Sequence, residues 1–131
     1  MLRNLYNATI NQADSDDAIA ALELAIAFPD TGQPHHALSN LLFGHLQRWL
    51  RDKQPLDRAL ALIPRAETWG ALWPMILHNA ACVCACAGEL AAAVRCVDLA
   101  KQAGYTNLEG LLDDDDLAPV RTAGLLLAYG R

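Results

Sequence analysis

Three of the four cysteines in the chain lie close together, in the segment "NAACVCACAGE" that spans residues 79–89. In a helix, Cys82 and Cys86 are about one turn apart and share a face, and His78 lies one turn before them on that face. Cys84 is rotated by about 200° from Cys82 and points elsewhere. Because imidazole and thiolate groups bind zinc and copper, the stripe of His78, Cys82 and Cys86 is the first candidate for chemistry.

The number of ligands on this stripe argues against a metal ion. One helix offers at most these three donors, and no pair of cysteines separated by two residues occurs in the chain to complete a site. The sequence also shows no base or cationic neighbour that would activate a thiol. We therefore expect the cysteines to act as small apolar residues where helices pack closely, with no metal and no cofactor. A metal- or thiol-dependent protein that uses His78, Cys82 and Cys86 remains an alternative.

Two other polar clusters favour structure over chemistry. His35 and His36 are adjacent, so on a helix they point in different directions and chelate poorly together. The acidic run at 113–116 lacks the alternating oxygen ligands and the glycine of a calcium loop, and Asp116 suits the N-cap of a following helix. The chain contains no phosphate-binding glycine loop, nucleophile elbow or zinc-protease motif. We expect a protein that is not an enzyme.

The composition predicts one all-α domain. The chain has 131 residues, 53% of them hydrophobic, with many alanines and leucines and few β-branched residues. A net charge of -5 argues against nucleic acid as the main partner. No apolar run approaches the length of a membrane span, and the first residues lack the apolar core of a signal peptide. We expect a cytoplasmic protein with reduced thiols and no membrane contact.

Proline and glycine positions divide the chain into helical segments. The segment "PDTGQP" at 29–34 predicts a loop, and Pro55 suits the first turn of a new helix. Between the breaks, apolar residues recur every three or four positions, which is typical of helices. We predict helices near 2–12, 15–28, 36–52, 55–67, 72–87, 90–103 and 117–128, with a short helical turn at 108–112, and no strand.

The helices form pairs, and a short pattern repeats in the second helix of each pair. It consists of an alanine, a large apolar residue four positions later and an alanine three positions after that. The three copies are Ala18-Leu22-Ala25, Ala59-Ile63-Ala66 and Ala93-Val97-Ala100. The first alanines are separated by 41 and then 34 residues. Such alanines let two helices approach closely, while the larger residue fills the space beyond them.

This pattern resembles the tetratricopeptide repeat, a helix–turn–helix unit of about 34 residues. The similarity is strongest from Leu77 to Tyr105, at Leu77, Ala80, Ala81, Gly88, Glu89, Ala93, Val97 and Ala100. The tail "NLEGLLDDDDLAPVR" is similar to the closing segment of short bacterial members. The resemblance implies an all-α, right-handed helical-repeat solenoid of about three helix pairs plus a C-terminal capping helix. It implies a single domain over 1–131, with repeats at 1–34, 35–70 and 71–106 and a cap at 107–131.

The resemblance further implies a scaffold-like module for protein–protein interaction, which binds a peptide, a helix or a loop of another protein on the concave face. Arg3 and Asn7 stand where chaperone-binding members hold a peptide carboxylate, although Met75 replaces a further basic residue of that clamp. Transferring the concave-face pattern gives the candidate partner-binding residues Arg3, Asn7, Asn11, Leu41, Arg48, Arg51, Asp52, Met75, His78, Cys82 and Cys86.

Two alternatives concern the partner. A small acidic immunity protein or secretion chaperone that masks one partner would have the same size and charge. The consecutive residues Leu125, Leu126 and Leu127 span about 200° of a helix and cannot all face one neighbour. Either the last helix packs against two elements, or a leucine stays exposed and offers a surface for a homodimer. Arg48 and Arg51 suggest an acidic peptide as the ligand.

Overall fold

A computed structural model describes residues 15–28 and 33–131, and these ranges are helical with no strand. The helices are α1 (Asp16–Ala27), α2 (Pro34–Asp52), α3 (Asp57–Leu60), α4 (Ile63–Trp69), α5 (Met75–Cys86), α6 (Leu90–Gln102), α7 (Leu108–Leu112) and α8 (Ala118–Thr122). Short 3-10 turns occupy Asp115–Leu117 and Leu127–Tyr129. The helix predicted at 2–12, with Arg3, Asn7 and Asn11, lies outside the described residues. Within the described ranges, no helix combines the length and apolar character needed to cross a bilayer.

The all-α prediction is confirmed for the described residues, but two predicted helices are shorter than expected. The helix predicted at 55–67 is divided into α3 and α4, and Pro64 lies in the first turn of α4. Proline has no amide hydrogen to continue the α3 hydrogen bonds, so a new helix begins around it. The helix predicted at 117–128 ends at Thr122, and Gly124 follows with a φ of 74°. This left-handed conformation terminates helices and favours glycine.

The long helices pack in chain order. Helix α1 packs on α2, α2 on α5, and α5 on α6, while α3 and α4 contact α5 more lightly. Asn79 of α5 donates hydrogen bonds to the backbone oxygen and the hydroxyl of Ser39, both at 3.0 Å, and so joins α5 to α2. The tail after Tyr105 returns over this stack: α8 contacts both α5 and α6, and the Asp115–Leu117 turn lies on α5.

The repeated alanine pattern faces the core, as predicted. Of its nine positions, all except Ala25 are buried, and Ala25 is half-buried against the core. In the C-terminal leucine run, Leu126 is fully buried, whereas Leu125 and Leu127 are exposed. A leucine of this run therefore stays exposed, which is one of the two expected outcomes, but the run lies in a turn after α8 and not on an α-helix.

One buried polar side chain is incompletely paired. His45 on α2 is buried, and its Nε2 has no hydrogen-bond partner among the described residues. Burial, followed by the positive charge of Arg58, lowers the pKa of His45 below its ordinary value of 6.5, although Glu23 opposes this shift. Burial therefore disfavours the charged form of this histidine inside the fold.

We predict that this histidine makes the protein less stable in mild acid. Below about pH 6.5 the unfolded chain binds a proton at His45 more readily than the folded chain does, so the free energy of unfolding falls with pH. Denaturant unfolding of the wild type and His45→Gln should show a shallower pH dependence in the variant between about pH 7 and pH 5. Identical slopes would contradict the assignment.

The packing of α6 gives a second prediction. Ala93 is fully buried in the core, whereas Ala91 on the same helix is exposed. Ala93→Leu should lower the free energy of unfolding by about 1–3 kcal/mol, because added methyl groups overpack a close helix contact. Ala91→Leu makes the same chemical change at an exposed position and should leave stability nearly unaltered. Equal melting temperatures for the two variants would show that Ala93 does not lie at a tight contact.

Candidate functional site

The described part of the chain contains one cluster of three metal-ligating side chains, formed by His78, Cys82 and Asp114. His78 and Cys82 lie one turn apart on α5. Residues four positions apart in a helix share a face, so these two were expected to lie together from the sequence. Asp114 belongs to the acidic run of the tail, 36 residues after His78. The tail therefore places the carboxylate of Asp114 beside His78 and Cys82, which supplies a third possible ligand from outside α5.

Local backbone chemistry fixes Asp114. It immediately precedes the Asp115–Leu117 turn with an extended backbone, and its Oδ1 accepts a hydrogen bond of 2.9 Å from the amide of Asp116. The predicted N-cap, Asp116, is therefore not the capping residue. The helical segment starts with a 3-10 turn, so the capping position falls two residues earlier than expected. Arg121 holds the same segment by donating to the backbone oxygens of Leu112 and Asp114.

The two nitrogens of His78 contact two parts of the tail. Nε2 lies 2.9 Å from Asp114 Oδ2, and Nδ1 lies 2.7 Å from the hydroxyl of Tyr105. The rings of His78 and Tyr105 meet edge to face, with centroids 5.7 Å apart. One ligand atom from each of His78, Cys82 and Asp114 lies within 4.8 Å of the others. Cys82 is only 2% exposed, whereas the side chains of His78 and Asp114 are 17% and 28% exposed, so the cluster sits at the edge of the core.

The electrostatics of the cluster keep its thiols protonated. Burial first, and then the charges of Asp114 and Asp116, raise the pKa of Cys82 far above its ordinary value. Burial also raises the pKa of Cys86 to about 11, with Asp116 acting in the same direction and Lys53 opposing it. A protonated thiol is a poor nucleophile, so neither cysteine is activated for covalent chemistry in this arrangement.

The pKa of the Asp114 carboxyl is shifted in the opposite direction from that of the two thiols. Burial acts to raise its pKa, but the hydrogen bonds from His78 and from the Asp116 amide, together with the charge of His78, lower the pKa below its ordinary value. The neighbouring Asp116 is less well supported: burial first, and then the charges of Asp114 and Asp115, raise its pKa. Asp114 is therefore the acidic residue of this run that the fold stabilises as a carboxylate inside the cluster.

The two remaining cysteines do not belong to the cluster. Cys84 and Cys96 are both fully buried, and their thiols share a hydrogen bond between α5 and α6. All four cysteines are free thiols. The expected rotation of Cys84 away from Cys82 is therefore observed. Cys86 is half-buried one turn beyond Cys82, and Asp114 rather than Cys86 completes the group with His78.

The other residues predicted to line a concave face have varied surroundings. Leu41 is fully buried, so a partner could reach it only by displacing the core. Arg48 forms an ion pair with Asp16 of α1, and Arg51 forms one with Asp52, at 2.9 Å between Nε and Oδ2. Met75, at the start of α5, is exposed at 39% of its surface.

The rings of the adjacent histidines, His35 and His36, contact each other with centroids 4.3 Å apart, although the sequence predicted that they point in different directions. The His35 ring stacks on Trp73 with centroids 4.3 Å apart and an interplanar angle of 9°. His36 contacts His35 in a tilted arrangement. The aromatic stack joins the start of α2 to the junction before α5, which the sequence did not predict. No signal in the sequence pairs His35 with Trp73, or Asp114 and Tyr105 with His78, because all three contacts depend on the tertiary path of the chain.

No protein-family model matches the chain, and comparisons with curated proteins and with solved structures find no significant match.

We predict that the contact between His78 and Asp114 stabilises the fold in a pH-dependent way. The folded carboxyl has a lower pKa than the unfolded one, so the contact contributes fully above the unfolded pKa and is lost as pH falls from about pH 5 downward. In metal-free buffer, Asp114→Asn should reduce the free energy of unfolding near neutral pH and flatten its dependence on acid. Asp115→Asn removes an exposed carboxylate from the same turn and should keep the wild-type profile. Parallel acid profiles for wild type and Asp114→Asn would contradict this role.

Proposed function

We propose that this chain is a tetratricopeptide-like helical repeat and that it works as a non-enzymatic module that binds another protein. The stacking of α1, α2, α5 and α6 in chain order supports the proposal, because each repeat in such folds packs mainly on its neighbours. In this assignment α2 and α5 are the first helices of the second and third repeats, and they lie side by side. The raised pKa values of Cys82 and Cys86 favour binding over covalent catalysis.

One observation carries the choice of binding surface. The start of α2, the segment that joins α4 to α5 and the first residue of α5 supply the four residues that we call the junction patch: His35, Leu72, Trp73 and Met75. Leu72 is 77% exposed and Met75 39% exposed, and half-buried Trp73 is held by its stack on His35. A tryptophan held by a ring stack, with exposed apolar residues beside it in the chain, has residue types that are enriched at protein interfaces.

The junction patch favours an apolar segment as the partner. The sequence suggested an acidic peptide bound by Arg48 and Arg51, but the charges of both arginines are matched within the chain by Asp16 and Asp52. A ligand carboxylate would have to compete with these intramolecular acids, which reduces its net gain. Met75 is the residue of the predicted concave set that contributes exposed apolar surface to the patch. The proposed ligand is therefore an apolar helix or loop of another protein.

We predict that the junction patch is required for partner capture. Leu72→Ser should strongly weaken capture of a specific protein from an extract of the native host, measured by quantitative mass spectrometry, because it removes exposed apolar contact area without disturbing the core. Leu127→Ser is the matched control, since Leu127 is 72% exposed in the C-terminal turn. It should capture the same protein as the wild type does, and circular dichroism should show that both variants are folded.

The reciprocal result would overturn the assignment of the surface. If Leu127→Ser loses the partner and Leu72→Ser retains it, the C-terminal leucines form the docking site. If the captured protein is a second copy of this chain and light scattering shows that Leu127→Ser converts a dimer to a monomer, the homodimer alternative replaces the heterologous partner.

A further inference from the structure

We propose that His78, Cys82 and Asp114 bind one zinc ion, which fastens the C-terminal tail to helix α5. The proposal does not rest on the proposed function, because none of these residues belongs to the junction patch. It also differs from the stripe of His78, Cys82 and Cys86 considered for the sequence alone. The structure replaces the third ligand of that stripe with a carboxylate from a different segment.

The positions of the donors carry the inference. A nitrogen of His78, the sulfur of Cys82 and an oxygen of Asp114 lie within 4.8 Å of one another. Ligands bound at about 2.0–2.3 Å around a tetrahedral zinc ion are themselves between 3 and 4 Å apart, roughly, so small side-chain rotations bring these atoms into range. The donors come from an α5 helix fixed by its neighbours and from a turn fixed by Arg121, so the site is held from both sides.

The surroundings of His78 match those of a metal-binding histidine. Such histidines usually direct the second ring nitrogen to an oxygen atom, which fixes the orientation of the ring and its tautomer. Here Nδ1 lies 2.7 Å from the Tyr105 hydroxyl, and Nε2 points to Asp114. With zinc on Nε2, the single proton of the neutral imidazole lies on Nδ1 and is donated to the Tyr105 oxygen, and the proton of the Cys82 thiol is released to water.

The donor types select the ion. Calcium and magnesium prefer oxygen ligands alone, so an imidazole and a thiolate argue against both. One nitrogen, one sulfur and one carboxylate oxygen suit zinc, which commonly takes three protein ligands and a water molecule. The partial exposure of the His78 and Asp114 side chains, 17% and 28%, leaves a route for that water at the edge of the core.

The test uses cobalt(II) as a coloured substitute for zinc. The wild type, reduced and stripped of metal, should bind one equivalent of cobalt and develop a thiolate-to-cobalt charge-transfer band, and zinc should displace the cobalt. Cys82→Ser should abolish that band. Asp114→Asn should weaken binding by about tenfold or more, and Tyr105→Phe by about 10- to 100-fold, because the outer partner orients the histidine. Zinc should also raise the melting temperature of the wild type but not that of Cys82→Ser.

Two control variants separate this site from the alternatives. Cys86→Ser removes the neighbouring thiol and Asp115→Asn an exposed carboxylate, and both should bind cobalt like the wild type. If the wild type shows no thiolate-to-cobalt band after one equivalent of cobalt is added, that result alone overturns the proposal. Loss of the band in Cys86→Ser with normal binding by Asp114→Asn would place the metal on α5 alone and would also overturn it. If Asp114→Asn fails to fold, Cys86→Ser decides the question: wild-type cobalt binding by that variant excludes Cys86 as the third ligand, whereas weakened binding places the metal on α5 alone.

Discussion

The described fold depends on helix α5, which is surrounded by neighbours on most of its surface. Helices α2, α3, α4, α6 and α8 and the Asp115–Leu117 turn all contact it. Its buried positions include Ala80, Ala81 and Ala85 and the small thiols Cys82 and Cys84. Bulky residues at these positions would hold the neighbouring helices apart, so the small side chains allow the close packing of the whole stack. The main role of the small residues in the cysteine-rich segment is thus to let the neighbouring helices pack closely.

Apolar contacts alone do little to fix the rotation of α5 about its own axis. Two polar residues of this helix restrict that rotation. Asn79 hydrogen-bonds Ser39 on α2, whereas His78 contacts Tyr105 and Asp114 in the tail. These adjacent residues contact different neighbours, so the rotation of α5 about its axis has to satisfy both contacts. Partly buried polar networks of this kind help to specify one arrangement among several with similar apolar burial. The proposed zinc ion would use the His78 side of the same network.

The sequence predicted what depends on local pattern and missed what depends on the tertiary path. The positions of α1, α2, α5 and α6 follow from apolar spacing and glycine or proline breaks, and the repeated alanines identify the core face. Pro64 was a visible signal for the break between α3 and α4. No sequence signal distinguishes Asp114 from the other three aspartates of the run. Only the three-dimensional structure shows that Asp114 caps the Asp115–Leu117 turn and contacts His78. The expectation of no metal considered the ligands of one helix only, and it did not include Asp114, which lies 36 residues after His78.

The position of the tail also decides which surface is left for a partner. A ligand that approached His78 and Cys82 from the outside would have to detach the segment that covers them, including the fully buried Leu111, Leu117 and Leu126. Exposing a leucine costs about 1.5–3 kcal/mol, so the three together cost roughly 5–9 kcal/mol. That cost is comparable with the entire stability of a small domain, which is about 5–15 kcal/mol. This face of α5 is therefore part of the fold: the proposed ion would enter at its edge, whereas the proposed protein partner would need surface that is already exposed, such as the junction patch.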